Sequence, residues 1–313
     1  MTPNQIWAVV TSYRPEAELI AALSALRDQV DELVVVDDGS GPTAEPILRE
    51  VESQGVRVIQ LPTNSGIAFA LNAGLRAALD GGAEAIVTFD QDSVVESGFV
   101  AALLAARARA RTAGRAYGPI VPEYFADVRQ VHRVERDGTL ISRHAIQSGM
   151  LLDADLLHEV GLMREDLFID LVDTEFELRC TAASRPTIAA PGLTLAHSLG
   201  RQYERRMFGR LVRLPGIPPV VTLSAPFRYY YRVRNRLVIN RAFWRVQFGW
   251  VARDTVLEVI HYANAWLLAR PRRALWHLYR MAAHDARRGR MGGMTAELLE
   301  VASAISWSAS PAE

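Results

Sequence analysis

The chain has 313 residues, of which 50% are hydrophobic and 22% are charged, the balance of a folded globular protein with one large domain or one domain and an appendage. Its single cysteine, Cys180, excludes an intrachain disulfide. The formal net charge is zero, and each of the 35 Lys or Arg positions is Arg, whose planar guanidinium makes forked contacts with phosphate.

Strand and helix patterns alternate over the first 120 residues. Short apolar runs rich in β-branched residues predict strands at Ile6–Val10, Leu33–Val36, Val56–Gln60 and Ala85–Phe89. Apolar residues at helical spacing predict helices at Pro15–Val30, Thr43–Ser53 and Ile67–Leu79. This order predicts an α/β fold whose mostly parallel sheet is covered by helices on both faces.

The second half of the chain has a different character. Residues 118–200 are less regular, with short strands around a helix near Asp153–Val160. From Phe227 onward the pattern is helical and rich in Arg and aromatic residues, with breaks at Pro226 and Pro271.

The charge balance changes sign along the chain. Residues 1–200 hold 16 Arg against 28 acidic residues, a net charge of −12, whereas residues 201–290 hold 19 Arg against 4, a net charge of +15. We therefore expect a nucleotide-binding and catalytic domain at 1–215 and a helical C-terminal region at 216–313.

Neither end of the chain predicts a membrane span. Met1–Gln5 leads directly into a strand, without the basic start and apolar core of a signal peptide. The apolar stretch Val256–Ala269 is interrupted by Glu258, His261 and Asn264, so it is too short and too polar to cross a bilayer. We expect a cytoplasmic protein, with at most a peripheral contact at the inner face of the plasma membrane.

Acidic residues follow two of the predicted strands. Asp37 and Asp38 follow the second, and Asp90 and Asp92 follow the fourth, at the sheet edge where open α/β folds bind ligands. Two carboxylates spaced two residues apart can approach one divalent cation, and their oxygens suit Mg²⁺ or Mn²⁺. The alternative interpretation is a pair of solvated turns, since Asp-Gly is a common turn sequence.

Two further segments carry candidate groups. Asp170, Asp173, Glu175 and Glu177 alternate with apolar residues, and one of them is a candidate base for removing a proton from a hydroxyl. The alternative is a helix N-terminus enriched in acids by the helix dipole. Farther on, His197 is either a metal ligand or a structural histidine.

A series of segments then carries a family resemblance. They are Val10–Pro15, Val36–Ser40, Asn64–Ala68, Leu71–Gly74, Phe89–Ser93, Ser148–Gly149, Phe168–Asp173 and His197–Gly200. In this order they resemble the motifs of family-2 inverting glycosyltransferases with the GT-A fold, and within them the bacterial rhamnosyltransferases that use dTDP-L-rhamnose. The helical segment Arg228–Asn235 looks like the family's Y-x-x-R-N segment, and Val172 departs from the Glu that most members place before the catalytic Asp.

The resemblance implies a fold, a mechanism and a set of site residues. The GT-A fold is a Rossmann-like, mostly parallel twisted sheet flanked by helices, here with a helical C-terminal part rich in Arg and aromatics. The mechanism is a single displacement with inversion, with Asp173 as base.

The nucleotide would be held by Thr11, Tyr13, Asp38, Asn72 and Asp90. A Mg²⁺ or Mn²⁺ ion would be held by Asp92, Asp90 and His197. The acceptor or sugar would contact Asp170, Ser148 and Gly149, and the diphosphate Arg201. Asp37 is expected to support its turn.

The same resemblance suggests the partners. The donor is a nucleoside-diphosphate sugar, with dTDP-rhamnose favoured and another UDP- or dTDP-sugar as the alternative. The acceptor is a hydroxyl of a glycan or of a polyprenyl-linked saccharide in cell-wall or polysaccharide synthesis. The acidic first half argues against nucleic acid. The basic, aromatic C-terminal part suits either an anionic membrane surface or the core and contact surface of a homodimer.

Three other classes of protein fit the sequence less well. For two of them the chain lacks a required loop, and for the third it has motifs that such a protein would have lost. A nicotinamide-dependent oxidoreductase requires a glycine-rich turn after the first strand, where this chain has Thr11–Pro15. A nucleotidylyltransferase requires a glycine-rich, basic loop at the same place. A non-catalytic nucleotide-sugar-binding module would have lost the base or the D-x-D motif, which is Asp90-Gln91-Asp92 in this chain, and both are present.

Overall fold

A computed structural model describes residues 5–196, 202–204, 206–207, 210–211 and 220–308. The residues form two compact units. The first takes the described residues up to Phe168 and again from Val172 to residue 196, and the second takes Ile169–Leu171 and the described residues beyond 201. The expected domain limit at residue 215 stays a prediction.

Within the described residues, the first unit is built on a ten-stranded sheet. Its strands are β1 (Ile6–Ser12), β2 (Glu32–Asp37), β3 (Arg57–Gln60), β4 (Ala85–Asp90), β5 (Ile120–Phe125), β6 (Val128–Arg129), β7 (Val131–Val134), β8 (Leu140–Ser142), β9 (Met150–Asp153) and β10 (Ile188–Leu195). The strand order is β3-β2-β1-β4-β9-β5-β10-β8-β7, with β6 paired to β5. Strands β1 to β4 are parallel, as predicted, whereas β9 runs antiparallel to β4 and β5.

Helices flank this sheet and confirm the α/β class. They are α1 (Glu18–Arg27), α2 (Glu45–Ser53), α3 (Ile67–Asp80), α4 (Phe99–Thr112), α5 (Ala154–Val160) and α6 (Val172–Ala182). The apolar periodicity located each predicted helix, but α1 is shorter than the predicted Pro15–Val30 at both ends. Periodicity reports the buried face of a helix, whereas its ends depend on local backbone bonding.

The close packing of α3 on the sheet depends on Gly74. A Cβ at this position would lie 3.1 Å from Val36 Cγ2 and closer still to Val9. Both valines are fully buried, so neither can move aside without disturbing the core. The glycine of the Leu71–Gly74 segment is therefore explained by the contact between helix and sheet.

The second unit is mostly helical, as predicted from Phe227 onward. Its helices are α7 (Arg228–Phe243), α8 (Phe248–Leu268), α9 (Arg272–Arg288) and α10 (Ala296–Ser303). Short antiparallel pairs join β11 (Gln202–Glu204) to β14 (Val220–Thr222), β12 (Arg206–Met207) to β13 (Arg210–Leu211), and β15 (Ala269–Arg270) to β16 (Ser306–Trp307). Among the described helices, none is long and apolar enough to cross a bilayer.

Candidate active site

The carboxyl ends of β1, β2 and β4 meet at one edge of the sheet. In the register of these parallel strands, Ser12 lies opposite Asp37, and Thr11 lies opposite Asp90. The two acidic motifs therefore converge on the central strand β1, at the position where open α/β sheets bind ligands. This edge is the candidate nucleotide site.

Asp37 closes the turn that follows β2. Its carboxylate accepts a hydrogen bond from the backbone N–H of Ser40 at 2.9 Å and another from the Ser40 hydroxyl. Ser40 Oγ in turn accepts from the N–H of Arg14 at 2.6 Å. Asp37 thus supports the turn, as the sequence predicted, and joins it to the loop after β1.

Asp38 ties two loops together. Its carboxylate accepts hydrogen bonds from the backbone N–H groups of Ser65 at 2.7 Å and Gly66 at 2.9 Å. Burial raises the pKa of Asp38, and the two backbone hydrogen bonds oppose that rise. A carboxylate has about four lone-pair positions, so it keeps acceptor capacity for a nucleotide N–H. The sequence predicted that Asp38 contacts the nucleotide. It did not predict the two backbone hydrogen bonds by which Asp38 joins the loops.

The loop after β1 contacts the D-x-D segment. Thr11 is buried, and its hydroxyl lies 3.5 Å from the carbonyl oxygen of Phe89. The backbone N–H of Tyr13 donates to Gln91 Oε1 at 2.8 Å. The ring of Tyr13 is exposed, with the Arg14 guanidinium 5.2 Å from its centre. An exposed aromatic ring at this edge is suited to stacking on a nucleotide base.

The D-x-D turn is held by a short segment that precedes β9. Gln147 donates its side-chain N–H to the Asp90 carboxylate, and the Asp90 N–H donates to Ser148 Oγ at 3.2 Å. The hydroxyls of Ser93 and Ser148 lie 2.6 Å apart, and both side chains are fully buried. Asp92, in contrast, is exposed. The turn is thus anchored through Asp90 and presents Asp92 at the surface.

These contacts correct the predicted role of Ser148 and Gly149. Ser148 was expected at the acceptor, but its buried hydroxyl is committed to the D-x-D turn. The N–H of Gly149 donates to the carbonyl oxygen of Thr88 at 2.7 Å, which joins the same segment to β4. The segment Ser148–Gly149 therefore supports the D-x-D motif from inside the fold. The sequence did not predict the contact of Gln147, because no local pattern marks it.

Asn72 also has a structural role in place of the predicted nucleotide contact. It is buried on α3, where its Oδ1 accepts from the N–H of Met163 at 2.9 Å. Its Nδ2 donates to the Met163 carbonyl oxygen and to Glu165 Oε1, both at 2.8 Å. Arg76, one turn farther along α3, contacts the same Glu165 oxygen at 2.6 Å. These contacts use both N–H donors of the amide and one acceptor position of its oxygen, and they attach the segment before the acidic motif to α3.

Gly66 brings the same segment close to the nucleotide edge. It has a φ of +93°, and a Cβ at this position would lie 2.5 Å from the carbonyl oxygen of Phe168. Only glycine fits both the left-handed backbone and this contact. Because Asp38 accepts from the N–H of Gly66, the loop fixed by Asp38 is also the loop that contacts the start of Phe168–Asp173, the F-I-D motif.

The F-I-D motif itself has an unusual backbone. Phe168 has φ +67° and ψ −69°, a rare and strained γ-turn conformation. Asp170 and Leu171 also have positive φ, at +66° and +62°. Helix α6 then begins, with Asp173 in its first turn. The helix dipole favours a carboxylate at that position, and Asp173 Oδ1 accepts from the N–H of Thr174 at 2.7 Å.

Helix α7 of the second unit contacts the middle of this motif. Arg228 makes a forked contact with the Asp170 carboxylate, with Nη2 at 2.7 Å and Nε at 3.2 Å. Asn235 Nδ2 donates to the carbonyl oxygens of Ile169 at 2.9 Å and Asp170 at 2.8 Å. The sequence suggested Arg228–Asn235 as a family segment, but the contact with the acidic motif was not predicted.

The two glutamates that follow Asp173 have separate structural roles. Glu175 forms an ion pair with Arg179 at 2.9 Å. Glu177 is fully buried and accepts from the backbone N–H groups of His144 at 2.9 Å and Ala145 at 3.2 Å. Burial raises the pKa of Glu177 to about 7. Both glutamates therefore make contacts within the fold.

The donor chemistry of the D-x-D turn fits a hard divalent cation. Among the residues that the structure describes, no three His, Cys, Asp or Glu side chains form a cluster able to hold a metal ion. Asp90 and Asp92 offer carboxylate oxygens, and Mg²⁺ is commonly bound through one or two carboxylates together with substrate phosphates and water. The predicted ligand His197 and the predicted diphosphate contact Arg201 lie outside the described residues.

Comparisons of sequence agree with this site. A family model described as glycosyl transferase family 2 matches residues 7–147, a range that includes the D-x-D turn and its Gln147 anchor. Over 304 residues the chain is 31% identical to dTDP-rhamnosyl transferase RfbF of Shigella flexneri, and the match covers 93% of this chain and 98% of the relative. The likeness therefore extends through the second unit.

Comparisons of structure establish the fold. The chain is similar to S. aureus TarS 1–349 in complex with UDP, with a TM-score of 0.50, 18% identity, and coverage of 75% of this chain and 65% of that chain. It is also similar to GalNAc-T7 with UDP, GalNAc and Mn²⁺, with a TM-score of 0.55, 14% identity, and coverage of 78% and 49%. The chain thus spans less than two thirds of either structure. These likenesses confirm the GT-A fold that the sequence resemblance implied.

Proposed function

The chain belongs to glycosyl transferase family 2, and from that premise we propose that it transfers L-rhamnose from dTDP-L-rhamnose, with inversion, to a saccharide hydroxyl. The transferase activity itself follows from the family. The observation that carries the choice of donor is the 31% identity to dTDP-rhamnosyl transferase RfbF over nearly the whole length of both chains. The solved structures with UDP share too little sequence to argue for their own donors.

We propose that Asp173 acts as the general base. As the acceptor oxygen forms its bond to the anomeric carbon, the acceptor proton passes to the Asp173 carboxylate. The bond between the anomeric carbon and the diphosphate oxygen breaks on the opposite face, and its electron pair leaves with the nucleoside diphosphate. A single displacement of this kind inverts the anomeric configuration and needs no covalent intermediate.

The sheet edge would hold the nucleotide and the diphosphate. Asp38 is the candidate acceptor for a pyrimidine N–H, Tyr13 for stacking on the base, and buried Thr11 shapes the floor of the site. Asp92 and Asp90 would hold a Mg²⁺ or Mn²⁺ ion, which would supply positive charge to offset the charge that develops on the departing diphosphate. His197 and Arg201 remain proposed contacts of the metal and the diphosphate.

A donor-hydrolysis screen tests this proposal. The full chain is incubated with dTDP-rhamnose and with UDP-, dTDP- and GDP-linked sugars in the presence of Mg²⁺ or Mn²⁺, and released nucleoside diphosphate is measured. We expect dTDP-rhamnose to be turned over fastest. Rapid turnover of a UDP-sugar together with inert dTDP-rhamnose would overturn the donor assignment while leaving the family intact.

The acceptor is proposed to be a glycan or a polyprenyl-linked saccharide. The second unit supports two kinds of partner: its exposed Arg and aromatic side chains suit a membrane surface that carries a lipid-linked acceptor, and the same features suit a second copy of the chain. In both cases the protein acts in the cytoplasm, where nucleotide sugars are available.

A further inference from the structure

Helix α8 of the second unit has an apolar face turned to solvent. The α8 stripe consists of Val256, Leu257, Val259, Ile260, Trp266 and Leu267, and each of these side chains is between 36% and 59% exposed. The opposite face of α8 is packed inside the unit through Trp250, Val251, Asp254 and Ala265. The helix therefore presents one apolar face outward along its length, where a water-exposed helix normally carries polar residues.

The acidic residues of α8 are all on the inner side. Asp254 is buried and accepts from Trp250 Nε1 at 2.9 Å. Glu258 forms a forked ion pair with Arg232, at 2.9 and 3.0 Å. On the outer side, the fully described helix α8 carries one charged residue, Arg253, whose side chain is 59% exposed and lies 4.0 Å from the Asp254 carboxylate. The stripe is thus apolar with a positive charge and without a negative one.

Aromatic and basic side chains flank both ends of the stripe. At its start, the exposed rings of Trp244 and Phe248 pack edge to face with centres 4.8 Å apart. At its end, Arg272 donates to the carbonyl oxygen of Leu267 at 2.9 Å and lies 5.5 Å from the ring centre of Trp266. In membrane-bound helices, Arg and Trp side chains are preferentially located at the boundary between lipid headgroups and acyl chains.

We propose that the α8 stripe is a docking surface for an anionic lipid bilayer, with α8 lying along the membrane plane. The apolar side chains enter the boundary between headgroups and acyl chains, and the flanking Arg side chains contact lipid phosphates. A second copy of the chain is a poorer occupant, because two stripes packed together would bring the Arg253 and Arg272 side chains of both copies into a shared interface. The acidic group beside Arg253 is Asp254, which is buried on the inner side of α8 at 4.0 Å.

Vesicle flotation of the full-length protein tests this surface without relying on sugar transfer. We expect binding to vesicles of phosphatidylcholine with phosphatidylglycerol, weaker binding in high salt, and weaker binding to phosphatidylcholine alone. The double variant Val256→Ser, Ile260→Ser should partition at least about tenfold less. Leu299→Ser is the matched control, because Leu299 on α10 is 51% exposed, similar to Val256 at 59% and Ile260 at 54%.

The thermal transition of each variant is measured first, so that loss of binding is read only in a folded protein. Light scattering of the same samples without lipid measures the oligomeric state. Equal vesicle binding by the double variant and the wild type would overturn the proposal. A second result would also overturn it: the wild type is a dimer, the double variant is a monomer, and neither protein binds vesicles. The stripe would then be a contact between copies of the chain.

Discussion

Asp170 and Asp173 lie three positions apart but have different surroundings. The oxygens of Asp170 are engaged by Arg228 in a forked ion pair. Asp173 lies in the first turn of α6, where it is only partly buried. Asp170 thus has a structural partner in helix α7. Asp173, which matches the catalytic position of the family motif, is the proposed base.

We expect Asp173→Asn to retain nucleotide binding and to lose transfer by about 10²–10⁴-fold, the usual contribution of a general base. The rate of transfer to a saccharide acceptor and the affinity for dTDP measured by calorimetry give the two readouts. Asp155→Asn, at an exposed position of α5, is the control and should be fully active. If Asp170→Asn is inactive and Asp173→Asn has the wild-type rate, the two roles must be exchanged.

Asp92 allows a separate test of the metal. We expect Asp92→Ala to abolish turnover and to remove the part of nucleotide affinity that depends on Mg²⁺ or Mn²⁺, because its exposed carboxylate is the proposed ligand. Calorimetry with and without the cation measures this part. Glu96→Ala, an exposed acidic position nearby in the chain, should behave as wild type. Full activity of the wild type in excess chelator would contradict a role for the metal.

Single residues also mark the limit of sequence-based prediction. The acidic motifs could be placed at one sheet edge because parallel strands bring their carboxyl ends together. The contacts of Ser148, Asn72 and Gln147 could not, since each depends on partners more than fifty positions away. A buried polar side chain and a ligand-binding one have the same appearance in a sequence, and only the fold distinguishes them.

Helix α7 acts as a single element on the acidic motif. Its first turn contributes Arg228, and Asn235 lies about two turns farther along; both contact the turn before Asp173 in the chain. Asn235 supplies both hydrogen bonds from one side-chain nitrogen, so it fixes the direction of two successive carbonyl groups. The helical periodicity predicted α7, but its apolar spacing contains no information about this turn.

We expect Asn235→Asp to lower kcat by about 10- to 100-fold. A carboxylate cannot donate hydrogen bonds to the two carbonyl groups, and its negative charge repels their partially negative oxygens. The KM for the donor should change little, since the nucleotide edge is built elsewhere. Asn240→Asp, on the same helix and bonded to Thr255, is the matched control. An unchanged kcat, or an equal loss in both variants, would remove Asn235 from the positioning role.

At the scale of the whole molecule, the buried Glu177 makes stability depend on pH. Its pKa of about 7 lies above the ordinary value of 4.5, so its contribution to stability is complete below pH 4.5 and is lost as the pH rises through 7. We expect the unfolding free energy of the wild type to fall between pH 5 and 8 by up to about 3 kcal/mol more than that of Glu177→Gln, at about 1.4 kcal/mol per pKa unit.

Thermal unfolding across this pH range measures the difference. Glu300→Gln, at an exposed position of α10, is the control and should keep the pH profile of the wild type. Parallel profiles for Glu177→Gln and the wild type would contradict the prediction, because they would show that ionisation of Glu177 does not lower the unfolding free energy.

The order of the strands and helices was easier to predict than the contacts between segments that are distant in the chain. The order of strands and helices and the change of charge along the chain predicted a sheet domain followed by a basic helical part. They did not predict that Ile169–Leu171 belongs to the second unit, because a short segment with no periodicity gives no indication of its partners. The antiparallel direction of β9 was not predicted for a similar reason, since a short buried strand has the same sequence pattern in either direction.

The backbone of the F-I-D motif has an evolutionary consequence. Left-handed conformations cost about 1–2 kcal/mol for residues with a side chain, and Phe168 and Leu171 both adopt them. Glycine at either position would relieve that cost, but it would remove a partly buried side chain and add about 0.4–1 kcal/mol of freedom to the unfolded chain. A change at Phe168 or Leu171 therefore exchanges one cost for another. Laboratory selection for heat resistance should accordingly leave both positions with few accepted residues.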